Sequence, residues 1–422
     1  MDRSRVIVVV EPGRVLASGV GRVARSIAEA LSAAAAAGDT SDLELLLAGP
    51  GAAPPWAAGL PWLRLPSVPS VPGGTFAWHL ALPHFLARHH PTLVHLTSGF
   101  PAPGAGKLVM TVHDLDVLDH PERHPRLKRW AFQALLGLTV RRARSIVAVS
   151  VTTREAVVRR WPALAHRVHV VRNALATEFI AARDAALRDP ARVESVRRRY
   201  GLPERFVLLH GSGGARSRAE LAVGAMRRLQ SREPVPLVVS GPVSERAIAL
   251  GGLSSRVLAL GEVPENDLPS LMRAASIVIH PVWADGFGFP PLEALACGTP
   301  VTVTDLPITR EVLGDLALYV PLSGDGEPGQ GRALEAEVER WISAVEHGLR
   351  DSAHRARVAA LGPRWASRFD ARRFGAEWLA VYRAGLDAAL DARIDPQLSA
   401  TSLDQIVKSV VPAGADVIDA HP

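Results

Sequence analysis

Residues 284–300 read Ala-Asp-Gly-Phe-Gly-Phe-Pro-Pro-Leu-Glu-Ala-Leu-Ala-Cys-Gly-Thr-Pro, and few backbone paths accommodate that order of residue types. The apolar run before it, residues 276–280, has the length of a short buried strand. Gly286 and Gly288 free the backbone for φ > 0 and for bare N–H groups. Pro290 and Pro291 preset φ for a first helical turn, and Gly298 with Pro300 ends that helix after about two turns. Residues 301–304 then read as a second strand. The unit is strand, glycine loop, short helix, strand, with Asp285 and Glu293 on either side of the loop–helix joint. A helix N-terminus below a glycine loop suits a phosphate, and neighbouring carboxylates suit sugar hydroxyls. Together they point to a nucleotide-sugar site.

With 422 residues the chain exceeds one hydrophobic core and implies two or three domains. Its 48% hydrophobic and 21% charged residues belong to a folded globular protein. The single cysteine, Cys297, excludes an internal disulfide framework and a cysteine-based zinc site, and is compatible with a reducing compartment. No apolar run reaches the roughly 18 residues of a membrane span, and Val6–Val10 is too short for a signal-peptide core. A cytoplasmic protein is expected. The net charge of +6 favours polyanionic partners in general without choosing among them. The arginine and alanine richness is equally the mark of a mutational bias in the source genome.

The 284–300 stretch resembles the donor-site signature of the family 4 retaining glycosyltransferases. That signature usually sets Glu, seven residues and Glu around a Gly-Phe-Gly-Leu-Pro-Pro-Leu core. Glu293 matches the second carboxylate, and Asp285 stands where the first Glu is usual. The resemblance runs over residues 5–390 and is strongest over 257–320, through Gly261-Glu262-Val263-Pro264 and Arg310-Glu311-Val312-Leu313-Gly314-Asp315. It implies an α/β fold of GT-B type: two Rossmann-like domains facing a cleft, with a C-terminal helix crossing back to the N-terminal domain. Alternation of strand and helix patterns agrees. Residues 1–176 are assigned to an N-terminal acceptor-side domain, 177–202 to an interdomain connection, and 203–365 to a C-terminal nucleotide-sugar-binding domain. Residues 366–395 form the crossover helix, with Asp370 as cap and Phe374, Trp378, Val381, Tyr382 and Leu386 on one apolar face. Residues 396–422 lack periodicity and read as a flexible tail.

In the first half, Gly19-Val20-Gly21-Arg22 precedes a helix over 23–36. Gly19-x-Gly21-x-x-Ala24 fits a dinucleotide fingerprint only loosely, because eight residues separate it from the strand where a tight turn is needed; NAD binding is not expected. The resemblance instead places Gly19, Gly21 and Arg22 where acceptor and donor phosphates approach the N-terminal domain. Residues 51–74, rich in Pro and Gly, read as a long loop or lid. The strand over 108–112 ends in His113-Asp114-Leu115, at the carboxyl end where open α/β sheets bind ligands. By the family pattern His113 contacts the transferred sugar or supports charge on it. Residues 120–144 mix basic and apolar side chains. They fit a helix with a core face and a solvated basic face, or a peripheral contact with the anionic inner face of a membrane. Thr152 and Thr153 offer an N-cap for a helix running to Arg160.

In the second half, a strand over 206–210 leads into Gly211-Ser212-Gly213-Gly214-Ala215-Arg216-Ser217-Arg218. Glycines after a strand invite phosphate, and Arg216 can neutralise it. The family holds its donor diphosphate with an Arg and a Lys. Arg216 matches the Arg, Ser217 occupies the Lys position, and Arg218 is the candidate substitute.

The resemblance implies a metal-independent retaining glycosyltransferase that needs no cofactor. Its donor is a nucleotide-diphosphate sugar, its acceptor a glycan, glycolipid or small molecule, and nucleic acid is not a partner. The resemblance makes His113 and Asp285 the catalytic residues. Gly19, Gly21, Arg22, Arg216, Arg218, Gly286, Phe287, Gly288, Phe289 and Glu293 bind the donor, Glu293 through ribose hydroxyls. Asp285 is one methylene shorter than Glu, so its oxygens sit about one bond length further back, a gap that a different sugar or a bridging water fills. A shifted donor preference follows. A catalytically silent relative acting as a binding or scaffold protein is the alternative.

Overall fold

The structure is a computed structural model, and it describes residues 3–10, 19–66, 74–98, 107–123, 126–211, 216–244, 257–322 and 332–387. Its framework is a pair of parallel sheets. The first contains β1 (Ser4–Val9), β2 (Leu43–Pro50), β3 (Trp62–Leu65), β4 (Leu93–Leu96), β5 (Leu108–Val112), β6 (Ser145–Ala148) and β7 (Val168–Val170), in the order β3-β2-β1-β4-β5-β6-β7. The second contains β8 (Val207–His210), β9 (Leu237–Ser240), β10 (Val257–Gly261), β11 (Ile277–His280), β12 (Val301–Thr304) and β13 (Leu318–Val320), in the order β10-β9-β8-β11-β12-β13. Every strand of β4, β5, β6, β9, β11 and β12 is buried along its whole length. Helices cover both faces of such sheets, which is why these strands read as continuous apolar runs without alternation. In each sheet the order reverses beside the first strand, so the loops there diverge and leave a crevice at the carboxyl ends.

The C-terminal helix Ala371–Leu386 joins the two halves. Asp370 caps it by accepting the N–H of Arg372 at 2.6 Å. The helix lies along Gly19–Ala36 and also meets β4, β5 and β6. Gly375 permits the approach: a Cβ there would stand 3.1 Å from the Ala30 carbonyl oxygen. Trp378 and Tyr382 are buried on the packed face. His95 shares hydrogen bonds with the Tyr382 hydroxyl at 2.8 Å and Thr111 Oγ1 at 2.9 Å, and its ring lies 4.4 Å from that of Trp378. Two Rossmann-like sheets with this return helix are the expected GT-B arrangement.

Burial, aided by the charge of His113, pushes the His95 imidazole down from 6.5 to about 3. Its folded pKa lies below the unfolded one, so it adds stability above pH 6.5 that is lost as pH falls from 6.5 toward 3. The loss is about 1.4 kcal/mol per pH unit in that window, because only the unfolded chain takes up the proton. Urea unfolding of the wild type and His95→Gln between pH 7 and pH 5 measures it. The variant's acid slope is expected to be shallower; equal slopes would mean that His95 ionises in the folded protein.

Four local expectations change. Residues 51–74 contain more than a loop, since Pro55–Ala57 forms a 3-10 turn and β3 pairs with β2 at the sheet edge. Only Leu65 of β3 is fully buried, so this edge strand leaves no apolar run to read. The helix expected from residue 23 begins at Gly19; a first turn has free N–H groups anyway and tolerates glycine better than a helix interior. The cap of Val151–Arg160 is Ser150, whose side chain accepts the Thr153 N–H at 2.9 Å, rather than Thr152 or Thr153.

The fourth concerns the basic segment, which holds the helix Arg126–Arg142. Arg144 at its end is buried and donates to the Asp387 carbonyl at 3.1 Å, so it is withdrawn from any basic surface. Among the described residues no helix is long and apolar enough to cross a membrane.

Candidate active site

The glycine stretch builds one wall of the crevice. Gly288 is the N-cap of Phe289–Ala296 at φ 89°, with Pro290 and Pro291 in the first turn, and Gly298 closes the helix at φ 73°. Gly286 has a different reason to be glycine. Its φ is not positive, but a Cβ there would lie 2.8 Å from the His113 carbonyl oxygen. At that point the two domains touch.

Glu293 projects from this helix and is 0% exposed. Its one close polar neighbour among the described residues is Arg22, in the first turn of Gly19–Ala36, with which it forms an ion pair. Arg22 meets Oε1, and Oε2 accepts no hydrogen bond among the described residues. A buried carboxylate with unused lone pairs is costly and calls for hydroxyl or N–H donors. Arg22 also lies over the Phe289 ring, 4.9 Å from its centre. Burial lowers its guanidinium to about 10, with Glu265 raising it and Arg25 lowering it. Gly21 is buried in the same turn and does not line the cleft.

Asp285 accepts from His280 Nε2 at 2.8 Å and from the Phe287 N–H at 3.2 Å. Burial pushes its carboxyl up, but His280, the Phe287 N–H and Arg216 outweigh that and hold it below the usual carboxylate range. The Phe287 N–H is thus engaged within the loop. The rings of Phe287 and Phe289 pack 5.1 Å apart, and Phe287 meets Phe369 edge-on at 5.6 Å.

Across the crevice, His113 follows β5 and donates from Nε2 to the Thr97 carbonyl at 2.7 Å. A carbonyl only accepts, so Nε2 bears the proton and Nδ1 is the acceptor in the neutral ring. Gly19, Arg22, His113, Arg216, Asp285, Gly286, Phe287 and Phe289 all line one cleft of about 800 Å³. Residues 212–215 of the second glycine loop lie outside the described residues.

Arg216 reaches from this loop to the opposite domain. It binds Asp114 with two N–H groups, at 2.8 and 2.9 Å, and Asp116 with Nε at 3.2 Å. Burial pushes the Asp114 carboxyl up, but Arg216 prevails and holds it below the usual range. The guanidinium expected to face a diphosphate is therefore engaged by two acids that the sequence reading did not select. Asp114 carried a signal, directly after His113 at a strand's carboxyl end. A further cross-domain contact was missed as well: Glu311 accepts the N–H groups of Val151 and Thr152 at 2.8 and 2.9 Å and binds Arg172 at 3.2 Å.

Arg218 does not join the site. It is 3% exposed, pairs through both terminal nitrogens with the fully buried Glu337, and lies 3.6 Å over the Trp283 ring. The chain turns into the helix Ala219–Leu229 at this residue, which carries its side chain into the packing beneath the cleft. Arg218→Met strands a buried carboxylate and is expected to cost about 3–5 kcal/mol of stability. Donor KM should stay near wild type, with denaturant unfolding and donor kinetics as the paired measurements. A stable variant with weakened donor affinity would return Arg218 to the site.

A profile for Glycosyltransferase Family 4 matches residues 17–179 and one for Glycosyl transferases group 1 matches residues 194–357. The O-antigen chain mannosyltransferase B of Escherichia coli is 28% identical over 241 residues, 55% of this chain and 60% of that protein. A D-inositol 3-phosphate glycosyltransferase of Jonesia denitrificans is 33% identical over 173 residues, 38% of each chain. The alignments thus span less than two thirds of these relatives. Among solved structures, the Anabaena protein HepE in complex with UDP and glucose superposes with TM-score 0.66 at 18% identity, covering 90% of this chain and all of that one. Sucrose-phosphate synthase from Thermosynechococcus elongatus gives TM-score 0.67 at 18% identity, covering 90% and 98%. Both structural likenesses concern the fold. With one profile on residues 17–179 and the other on residues 194–357, the chain belongs to the family 4, group 1 glycosyltransferases.

Proposed function

We propose that this protein transfers a hexose, mannose by analogy with its O-antigen relatives, from a nucleotide-diphosphate donor to a hydroxyl of a growing glycan, with retention at the anomeric carbon. The observation that carries this reading is Glu293: a fully buried carboxylate on the helix that Gly288 starts, lying behind the cleft lining and ion-paired with Arg22, which lines the cleft. In this reading ribose hydroxyls supply the donor that Oε2 has not found within the protein. From there a diphosphate extends toward the helix N-terminus and Arg216, and the sugar toward Asp285 and His113. Departure of the diphosphate concentrates negative charge, which preorganised cationic groups and helix N–H groups stabilise most. Arg216 must exchange Asp114 and Asp116 for phosphate oxygens in this scheme. These groups supply the countercharge, so the proposed reaction is metal-independent.

Incubation with UDP-, GDP- and dTDP-hexoses tests the reading, with product nucleotide measured in the presence and absence of glycan acceptors. Turnover of at least one donor is expected. Binding of a donor with no turnover against any acceptor favours the catalytically silent alternative.

A further inference from the structure

His280 closes β11 and lines the cleft, 8% exposed. Its Nε2 lies 2.8 Å from Asp285 Oδ2, while the Phe287 N–H reaches Oδ1 at 3.2 Å. The carboxylate is therefore held from both sides, each oxygen with one protein donor and further lone pairs to offer. A carboxylate only accepts, so the imidazole presents Nε2–H to it. We propose that His280 is the positioning residue for Asp285, fixing the short carboxylate so that its free lone pairs meet hydroxyls of the donor sugar. The proposal rests on the glycosyltransferase reading above.

The need for such a prop is local. Asp285 sits at the start of a loop with glycine one and three residues later, the least restrained backbone the chain can supply. Without the imidazole, Oδ2 loses its hydrogen bond and the Phe287 N–H alone orients the group. His280 in turn is anchored in a fully buried strand paired with β8 and β12, so it transmits the rigidity of the sheet to the loop. The spacing also suits aspartate. A glutamate at 285 would carry its oxygens one methylene past the imidazole and break the bond.

The test compares wild type, His280→Gln, His280→Leu, Asp285→Glu and the double variant His280→Leu/Asp285→Glu. The readouts are kcat and KM for the hexose donor that the wild type uses, the Kd of the corresponding UDP, GDP or dTDP, and thermal midpoints. His280→Leu is expected to lower kcat by about tenfold to a hundredfold, the scale of a misplaced reacting group, with nucleoside diphosphate Kd unchanged. His280→Gln restores an N–H donor and should recover most of kcat. Asp285→Glu should cost less in the His280→Leu background than alone, the coupling expected of residues in contact. An active wild type with an unaffected His280→Leu variant, strictly additive effects, or equal losses in His280→Leu and His280→Gln would overturn the positioning role. A wild type silent toward every donor overturns the glycosyltransferase reading, and this proposal with it.

Discussion

Glu293→Ala is expected to eliminate donor turnover and to lower nucleoside diphosphate affinity by at least about a hundredfold. Each hydrogen bond from a ribose hydroxyl to the ionised carboxylate is worth about 1.5–3 kcal/mol, and two are lost together. The same change leaves Arg22, half-buried against Glu293 and Phe289 at the cleft, without its partner. Breaking one partner of a fully buried pair costs about 3–5 kcal/mol of stability, an upper bound here because solvent reaches the guanidinium. The two effects separate in the double variant Arg22→Met/Glu293→Met. Replacing both charges by apolar side chains should return the unfolding midpoint toward wild type, because no charge is then left unpaired. Donor binding should not return. Calorimetry with UDP, GDP and dTDP beside thermal unfolding reads both. Full donor turnover in Glu293→Ala would remove this residue, and the ribose placement with it, from the proposed site.

Gly286→Ala carries the second large effect. The added methyl would lie 2.8 Å from the His113 carbonyl oxygen, a backbone atom with no rotamer to escape into. One wall of the cleft must then retreat, and the displaced residues adjoin Asp285 on one side and His113 on the other. A shift approaching 1 Å in such a place lowers kcat by about a hundredfold. The overall fold need not suffer, since the strain falls where two domains meet and not within either core. Gly288→Ala supplies the contrast: its φ of 89° makes any side chain strained by about 1 kcal/mol, so its effect should appear in stability as well as rate. Steady-state kinetics and unfolding midpoints of the two variants distinguish them. Wild-type kcat in Gly286→Ala would mean that the His113–Gly286 contact is absent when the enzyme turns over.

Much of this architecture was legible because it depends on neighbours along the chain. Ile277–His280 and Val301–Thr304 are apolar runs of strand length, and the prolines and glycines between them impose the loop and an eight-residue helix. The crossover helix was visible in the spacing of Phe374, Trp378 and Tyr382. The half-exposed edge strand β3 escaped notice because its side chains carry no burial pattern. Arg216 and Arg218 show the boundary well. They are two positions apart and chemically identical. Arg216 was the match to the family's Arg and Arg218 the substitute for its Lys, yet one faces Asp114 across the cleft and the other faces Glu337 in the core.

The sequence by itself determined most of the elements and the wall built by residues 284–300. These follow from φ preferences, capping and apolar periodicity, all of which act over a few residues. The GT-B class came with the resemblance to family 4. Only the tertiary structure decided which charges meet: Arg22 with Glu293, Arg216 with Asp114, Glu311 with the start of Val151–Arg160, and Gly286 against His113. An ion pair or a steric contact depends on distance in space. Positions a hundred or more residues apart acquire that distance only when both sheets and the return helix have packed together.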